Sequence, residues 1–350
     1  MSDQTTGRLV ADRYELTAPL GKGGMGVVWR GRDTLLQRDV AIKEVKIPAS
    51  VPVSERDAVE ARLSREARAA ARLSHPNAVT IFDVVDAEGL SYIVMELVDA
   101  PTLADLVKDE GPLQPERAAE VGMDVLAALE AAHREGIVHR DVKPGNVMVT
   151  ANTGDAQGRS KLADFGIASL KGDPKITATG MIMGSPSFMA PEQATGEESG
   201  PMVDLWALGA TLYYAVEGRP PFDKGQPIPT LTAVVHDELD PPRNAGALES
   251  VIASLLDKDP ARRPGVSQTN AMLSAIVAGR ATETPAPTPT ATLREEPSTH
   301  TETPRAPAPA PTPRLMRRAP EPQGRGWLVA LGVLALAAVA AVVLFATLSR

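Results

Sequence analysis

"LTAPLGKGGMGVVWRGRD", residues 16 to 33, places Gly21, Gly23 and Gly26 inside a run that is otherwise strand-like. Glycines at this spacing can hold a phosphate, hold a dinucleotide or merely turn the chain. A dinucleotide fingerprint needs its glycines between a strand and a helix, because the helix N-terminus receives the pyrophosphate. Here the next segment is "VVWRGRDTLLQRDVAIKEV", two β-rich runs around a turn. The glycines are therefore expected to cap a hairpin, which excludes the dinucleotide and leaves phosphate binding or a plain turn.

Outward from the hairpin, "RDVAIKEVK", "AVTIFDVVD" and "LSYIVMEL" continue the strand pattern, interrupted by short turns and by one helix over 54–74. Later segments read as helices: 115–136, which starts on proline and ends on glycine, then 203–218 and 247–259. Strands first and helices afterwards predict a two-part α+β architecture over residues 10–280.

Chemistry-bearing residues recur along that unit. "VAIK" puts Lys43 in the strand after the glycines, within reach of phosphates under the loop, and Glu66 on the 54–74 helix is placed to pair with it. "HRDVKPGN" supplies Asp141, Lys143 and Asn146, and "DFG" supplies Asp164. Asn146 and Asp164 suit magnesium, which takes a few protein oxygens plus substrate phosphates. Asp141 is left to accept a hydroxyl proton. Singly, each motif reads equally well as a salt bridge, a turn aspartate or a capped helix; the ordered set does not.

On these motifs the chain resembles the eukaryotic-like protein kinases, specifically the bacterial transmembrane serine/threonine kinases. The resemblance implies a bilobal kinase fold, with a β-rich N-lobe over about 10–98, a helical C-lobe over about 99–280, and ATP in the cleft between them. It implies that Leu20, Gly21, Lys22, Gly23, Gly24, Met25 and Gly26 form the loop over the phosphates, and that Lys43 contacts them while paired with Glu66. Asp141 becomes the catalytic base, Lys143 neutralises the transferring phosphoryl group, and Asn146 and Asp164 hold magnesium, with manganese as the alternative ion. Met95 takes the gatekeeper position, Glu96 to Val98 the adenine-binding hinge, and Val28, Ala41 and Met148 sandwich the adenine.

Lysine two places after the catalytic aspartate is the serine/threonine pattern, and Ser185 in "GSPSFMAPE" matches the position where such kinases set a hydroxyl beside that aspartate. Serine there is a mild departure from the commoner threonine. "APE" itself separates protein kinases from small-molecule phosphotransferases. Thr177 and Thr179 match autophosphorylation positions of related bacterial kinases, and Arg140 is placed to pair with a loop phosphate. Glu192 and Arg263 match a buried ion pair, and Asp204 a brace on the catalytic loop. His75 and His139 are framework positions; His133, His236 and His300 show no metal spacing.

The rest of the chain bears on location. A formal charge of −8 argues against nucleic-acid binding, and the absence of cysteine excludes disulfides and zinc–thiolate sites. Residues 1–16 show no secretory signal. Residues 281–326 are rich in Pro, Thr and Ala and read as a disordered linker, a spacer with polyproline character. Residues 327–348, "WLVALGVLALAAVAAVVLFATL", carry no charge and suffice to cross a hydrocarbon layer of ~30 Å as one helix. Arg314, Arg317, Arg318 and Arg325 precede this segment, so the positive-inside rule places the unit in the cytoplasm and 349–350 outside. The expected function is transfer of the γ-phosphoryl of Mg-ATP to Ser/Thr hydroxyls of proteins at a membrane, activated by autophosphorylation. Expected partners are protein substrates, membrane lipid and a second copy of the chain for trans-autophosphorylation, not nucleic acid. The alternative is a membrane-anchored pseudokinase scaffold; the complete set Lys43, Asp141, Asn146 and Asp164 speaks against it.

Overall fold

In a computed structural model of the chain, the described residues are 7–23, 26–47, 51, 53–150, 160–165, 186–197 and 199–282. All of them belong to the first of the chain's two units, Met1–Pro287. The expectations for Gly24, Met25, Thr177, Thr179, Ser185, the linker beyond Thr282, the span 327–348 and the tail 349–350 lie outside the described residues. Among the described residues no helix is long and apolar enough to cross a membrane.

The N-terminal half is an antiparallel sheet built from β1 (Leu9–Val10), β2 (Tyr14–Gly23), β3 (Gly26–Asp33), β4 (Arg38–Val45), β5 (Ile81–Ala87) and β6 (Leu90–Glu96), in the order β1-β2-β3-β4-β6-β5. The opening glycines do cap a hairpin, with Gly23 opposite Gly26 at its tip. Gly26 has φ of 138°, and a Cβ there would overlap the Glu44 carbonyl oxygen on the neighbouring strand, so only glycine fits. Helix α1 (Val53–Ala70) fills the crossover from β4 to β5 and ends a turn earlier than the sequence pattern suggests.

Alternation along β4 assigns its two faces. Val40 and Ile42 join Tyr14, Leu16, Tyr92 and Val94 in a core on one side of the sheet. Ala41 and Lys43 turn to the other side, where Ala41 packs with Val79 and Met95. Lys43 is set between Val28 on β3 and Ile93 on β6 by register.

The helical half contains α2 (Leu103–Glu110), α3 (Pro115–Arg134), α4 (Pro191–Thr195), α5 (Met202–Glu217), α6 (Pro227–His236), α7 (Glu249–Leu255) and α8 (Val266–Thr282), plus a short ladder of β7 (Val147–Val149) and β8 (Ser160–Leu162). Helix α5 is apolar around most of its circumference, and Val203 to Tyr213 are all buried, which makes it the centre of this half rather than a surface helix. Gly209 lets α7 approach closely: a Cβ would come within 2.7 Å of Leu255 Cβ. Helix α8 runs to Thr282, two residues past the expected boundary at 280. The architecture is thus the expected α+β one, a strand-rich lobe and a helical lobe.

Candidate active site

Lys43 leaves β4 on the cleft face and donates to Asp164 Oδ2 at 2.6 Å. The pair joins the two lobes, since Asp164 follows β8. Its carboxylate would be pushed up by burial, but the Lys43 ammonium outweighs this and holds it below the ordinary carboxylate range. Asp164 is therefore ionised at neutral pH and can carry a cation. Its φ of 67° is left-handed, a conformation aspartate tolerates better than most residues.

Ala163, just before it, is held at both backbone groups. Its N–H donates to the Asn146 carbonyl at 2.8 Å, and its carbonyl lies 2.9 Å from His139 Nε2. His139 Nδ1 accepts from the Asp141 N–H at 3.2 Å, so Nε2 is the nitrogen that carries the hydrogen to Ala163. His139 is fully buried and also packs edge-on against Phe165, with centroids 4.8 Å apart. A framework histidine thus ties the "HRD" loop to the segment bearing Asp164.

Asp141, Lys143 and Asn146 converge as their spacing suggests. Lys143 Nζ donates to Asp141 Oδ2 at 2.7 Å, and Asn146 Nδ2 donates to the Asp141 carbonyl at 2.8 Å and to Oδ2 at 3.3 Å. Those bonds use the amide's N–H groups and leave its oxygen as the atom able to meet a cation. Among the described residues no three His, Asp or Glu side chains cluster to hold a metal alone. Asn146 and Asp164 fit an ion that completes its shell with phosphate and water, as magnesium does.

Beneath this loop, the fully buried Asp204 of α5 accepts from the N–H groups of His139 at 2.9 Å and Arg140 at 2.7 Å. Arg140 has φ of 64°, so its strained backbone is stabilised by a buried charge-assisted bond. His133 Nε2 lies 2.7 Å from the same carboxylate. The spacing of His133 carried no signal of this; its structural role is set by α3 running beside α5. Glu192 and Arg263 form the expected buried pair, bidentate at 2.6 and 2.8 Å.

One expected contact is not made. Lys43 does not pair with Glu66: Glu66 Oε1 instead accepts from Arg62 Nε at 3.0 Å, and its Oε2 is buried without a donor among the described residues. Arg62 lies one turn earlier on α1, so it satisfies the carboxylate locally, while Lys43 takes the Asp164 carboxylate across the cleft.

The roof and back of the cleft are apolar. Val28, Ala41, Met95 and the hinge residues Leu97 and Val98, read from the sequence, share one cluster with Val79 and Ala163, which sequence reasoning missed. Met148 is half-buried in β7 and bridges to Thr102. Leu20, Gly21 and Lys22 are exposed on the hairpin above. Such a slot suits a flat, largely apolar ring with polar edges against the Glu96–Val98 backbone. Glu96 has a second feature that was not foreseen: both of its carboxylate oxygens accept from Lys161 of β8, at 2.6 and 2.8 Å.

A strand-rich lobe, a helical lobe and a cleft where lysine meets aspartate across the gap define the protein kinase class. The chain belongs to that family: residues 14–273 match the protein kinase domain. It is 38% identical over 293 residues to the serine/threonine-protein kinase PknB of Mycobacterium tuberculosis, covering 80% of this chain and 45% of that one. A probable serine/threonine-protein kinase of Clostridium perfringens is 37% identical over 262 residues, 73% of this chain and 37% of that one. A probable serine/threonine-protein kinase of Corynebacterium efficiens is 38% identical over 282 residues, 76% and 41%. These similarities place the chain among bacterial eukaryotic-like serine/threonine kinases; it matches less than half the length of these relatives.

Proposed function

We propose that this protein transfers the γ-phosphoryl group of ATP to serine or threonine hydroxyls of proteins. The observation that carries this reading is the Lys43–Asp164 pair, 2.6 Å across the cleft, tied to the Asp141–Lys143–Asn146 cluster by the bond from the Ala163 N–H to the Asn146 carbonyl. Asp141 orients the acceptor hydroxyl and takes its proton as the oxygen bonds to the γ-phosphorus and the β–γ bridging P–O bond breaks, releasing ADP. Lys143, hydrogen-bonded to Asp141, offsets the charge of the moving phosphoryl group. Lys43 supplies positive charge to the phosphates, and Gly21, Gly23 and Gly26 allow backbone N–H groups to approach them. Magnesium on Asn146 and Asp164 would neutralise phosphate charge. Catalysis of this kind is mostly positioning and electrostatics.

Several finer points belong to the same reading. Glu66 exchanges Arg62 for Lys43 when nucleotide draws Lys43 away from Asp164. Ser185 sits beside Asp141 in the active conformation. Phosphates on Thr177 and Thr179 order the activation segment, residues 164–192, through Arg140. Residues 327–348 anchor the chain in a membrane, with the kinase unit on the cytoplasmic side and 281–326 as tether, and two copies phosphorylate each other in trans. The sequence patterns described above support the points on Ser185, Thr177, Thr179, Arg140 and residues 281–348.

Mass mapping of the full chain after incubation with Mg-ATP tests the acceptor class and the sites together. The expected result is phosphate on threonine and serine, with Thr177 and Thr179 occupied first. Phosphotyrosine as the main product, or an active enzyme with an unmodified 166–185 segment, contradicts the reading.

A further inference from the structure

We propose that Lys161 is a positioning residue: its ion pair with Glu96 clasps the hinge to the strand that leads into Asp164, and thereby sets how tightly the cleft holds ATP. The inference rests on the reading of the cleft as an ATP site.

Strand β8 is stitched to its surroundings along its length. The Ser160 N–H donates to Asp124 Oδ2 at 2.7 Å, and its carbonyl accepts from Asn77 Nδ2 at 2.9 Å. Leu162 donates to the Asn77 carbonyl at 2.8 Å and accepts from the Val79 N–H at 2.9 Å. Ser160 and Leu162 are fully buried on one face of the strand, so period-two alternation turns Lys161 to the other. There its ammonium meets Glu96, the last residue of β6 and the first of the hinge.

Glu96 is also fixed from a second side. Its N–H donates to the Thr80 carbonyl at 2.9 Å, and its Oε2 accepts from the Thr80 N–H at 3.3 Å. Thr80 directly follows the 77–79 segment that holds β8. Hinge, loop and β8 therefore form a closed triangle, and Lys161–Glu96 is its one side made by two charged groups. Asp164 emerges three residues after Lys161, and Lys43 lies on β4, beside β6. A shift of β8 against β6 would move these two groups relative to each other.

An isolated surface pair would not support such a role, because exposed ion pairs contribute little. This pair differs in three respects. The side chains are only 21% and 28% exposed, both carboxylate oxygens are engaged, and the partners are 65 residues apart in the chain, which excludes local helix pairing. Hydrogen bonds between ionised partners are also shorter and stronger than neutral ones. Purine binding to the hinge backbone occurs alike in the ground and transition states, so losing the clasp should act on KM rather than on kcat.

The test measures kcat and KM for ATP on the full chain, at fixed magnesium and acceptor, for wild type, Lys161→Met, Glu96→Gln, the double variant and Lys161→Arg. Each neutralising variant is expected to raise KM for ATP about 3- to 10-fold, and the double variant no more than the larger single, because one interaction is lost only once. Lys161→Arg, which keeps the positive charge and can donate to both carboxylate oxygens, should return KM to within about two-fold of wild type. Multiplying effects in the double variant, or a lowered melting temperature with KM unmoved in Lys161→Met, overturns the clasp. If wild type saturates with ATP while Lys161→Met keeps its KM, only the clasp fails. If wild type never saturates with ATP, the reading of the cleft fails with it.

Discussion

Lys258 holds its ammonium 3.7 Å from the Phe222 ring centroid and 5.1 Å from that of Trp206, and donates to the Val234 carbonyl near the end of α6 at 2.5 Å. Burial nonetheless dominates and pushes the amine down to about 8, with Asp237 opposing the shift and Arg263 adding to it. A folded value below the unfolded one means that the unfolded chain binds more protons between about pH 8 and the usual lysine range near 10.5. Stability contributed by this site therefore rises with pH across that window and is lowest below it. Urea midpoints at pH 7.5 and 9.5 should show wild type gaining on Lys258→Met at the higher pH. An equal change in both proteins would contradict this environment for Lys258. The same burial argument explains why Asp164, also drawn out of water, behaves oppositely: its cation lies 2.6 Å away, whereas Lys258 has aromatic faces and carbonyls.

Helix α4 and the segment after α7 are joined by Arg263, whose guanidinium has no exposure and reaches Glu192, the Asp257 carbonyl at 2.8 Å and the Met202 carbonyl at 3.1 Å. Removing one member of such a pair leaves a buried charge unpaired. Arg263→Ala should therefore cost ~3–5 kcal/mol in urea unfolding, and the double replacement Arg263→Met with Glu192→Leu clearly less. Additive losses would mean that the two groups do not depend on each other. Elements such as these show what the sequence made legible. The β2–β3 hairpin and the strand carrying Lys43 could be read because alternation and glycine placement are local. The end of α7 could not: the segment read as helical runs to 259, but the helix stops at Leu255, and the Asp257 and Asp259 side chains take the N–H groups of Asp259 and Ala261 at 2.9 Å. Glu66 could be placed on α1, but its choice between Arg62 and Lys43 turns on a competition that spacing does not rank. The pairing of Lys161 with Glu96 carried no signal, although Glu96 itself was read as a hinge residue, since nothing local links two charges so far apart in the chain.

At the scale of the whole kinase unit, the groups proposed to act on ATP and acceptor come from both lobes. Lys43 is carried by a sheet whose register is fixed by a six-strand ladder, and Asp141 by a loop anchored on a buried carboxylate in α5. Rigid supports on both sides of the cleft, with the glycine hairpin above, are what a reaction governed by positioning requires. Asp141 alone among these groups is assigned to the acceptor hydroxyl rather than to ATP, so its loss should separate binding from chemistry. The most direct measurement is phosphoryl transfer from γ-labelled ATP to a protein acceptor by the full chain, beside Asp141→Asn, with ATP binding measured in both. The account predicts ATP binding by both proteins, transfer by wild type, and a fall in rate of at least about 10²-fold in the variant. Equal transfer by the two proteins, or ATP binding without transfer by either, would contradict it.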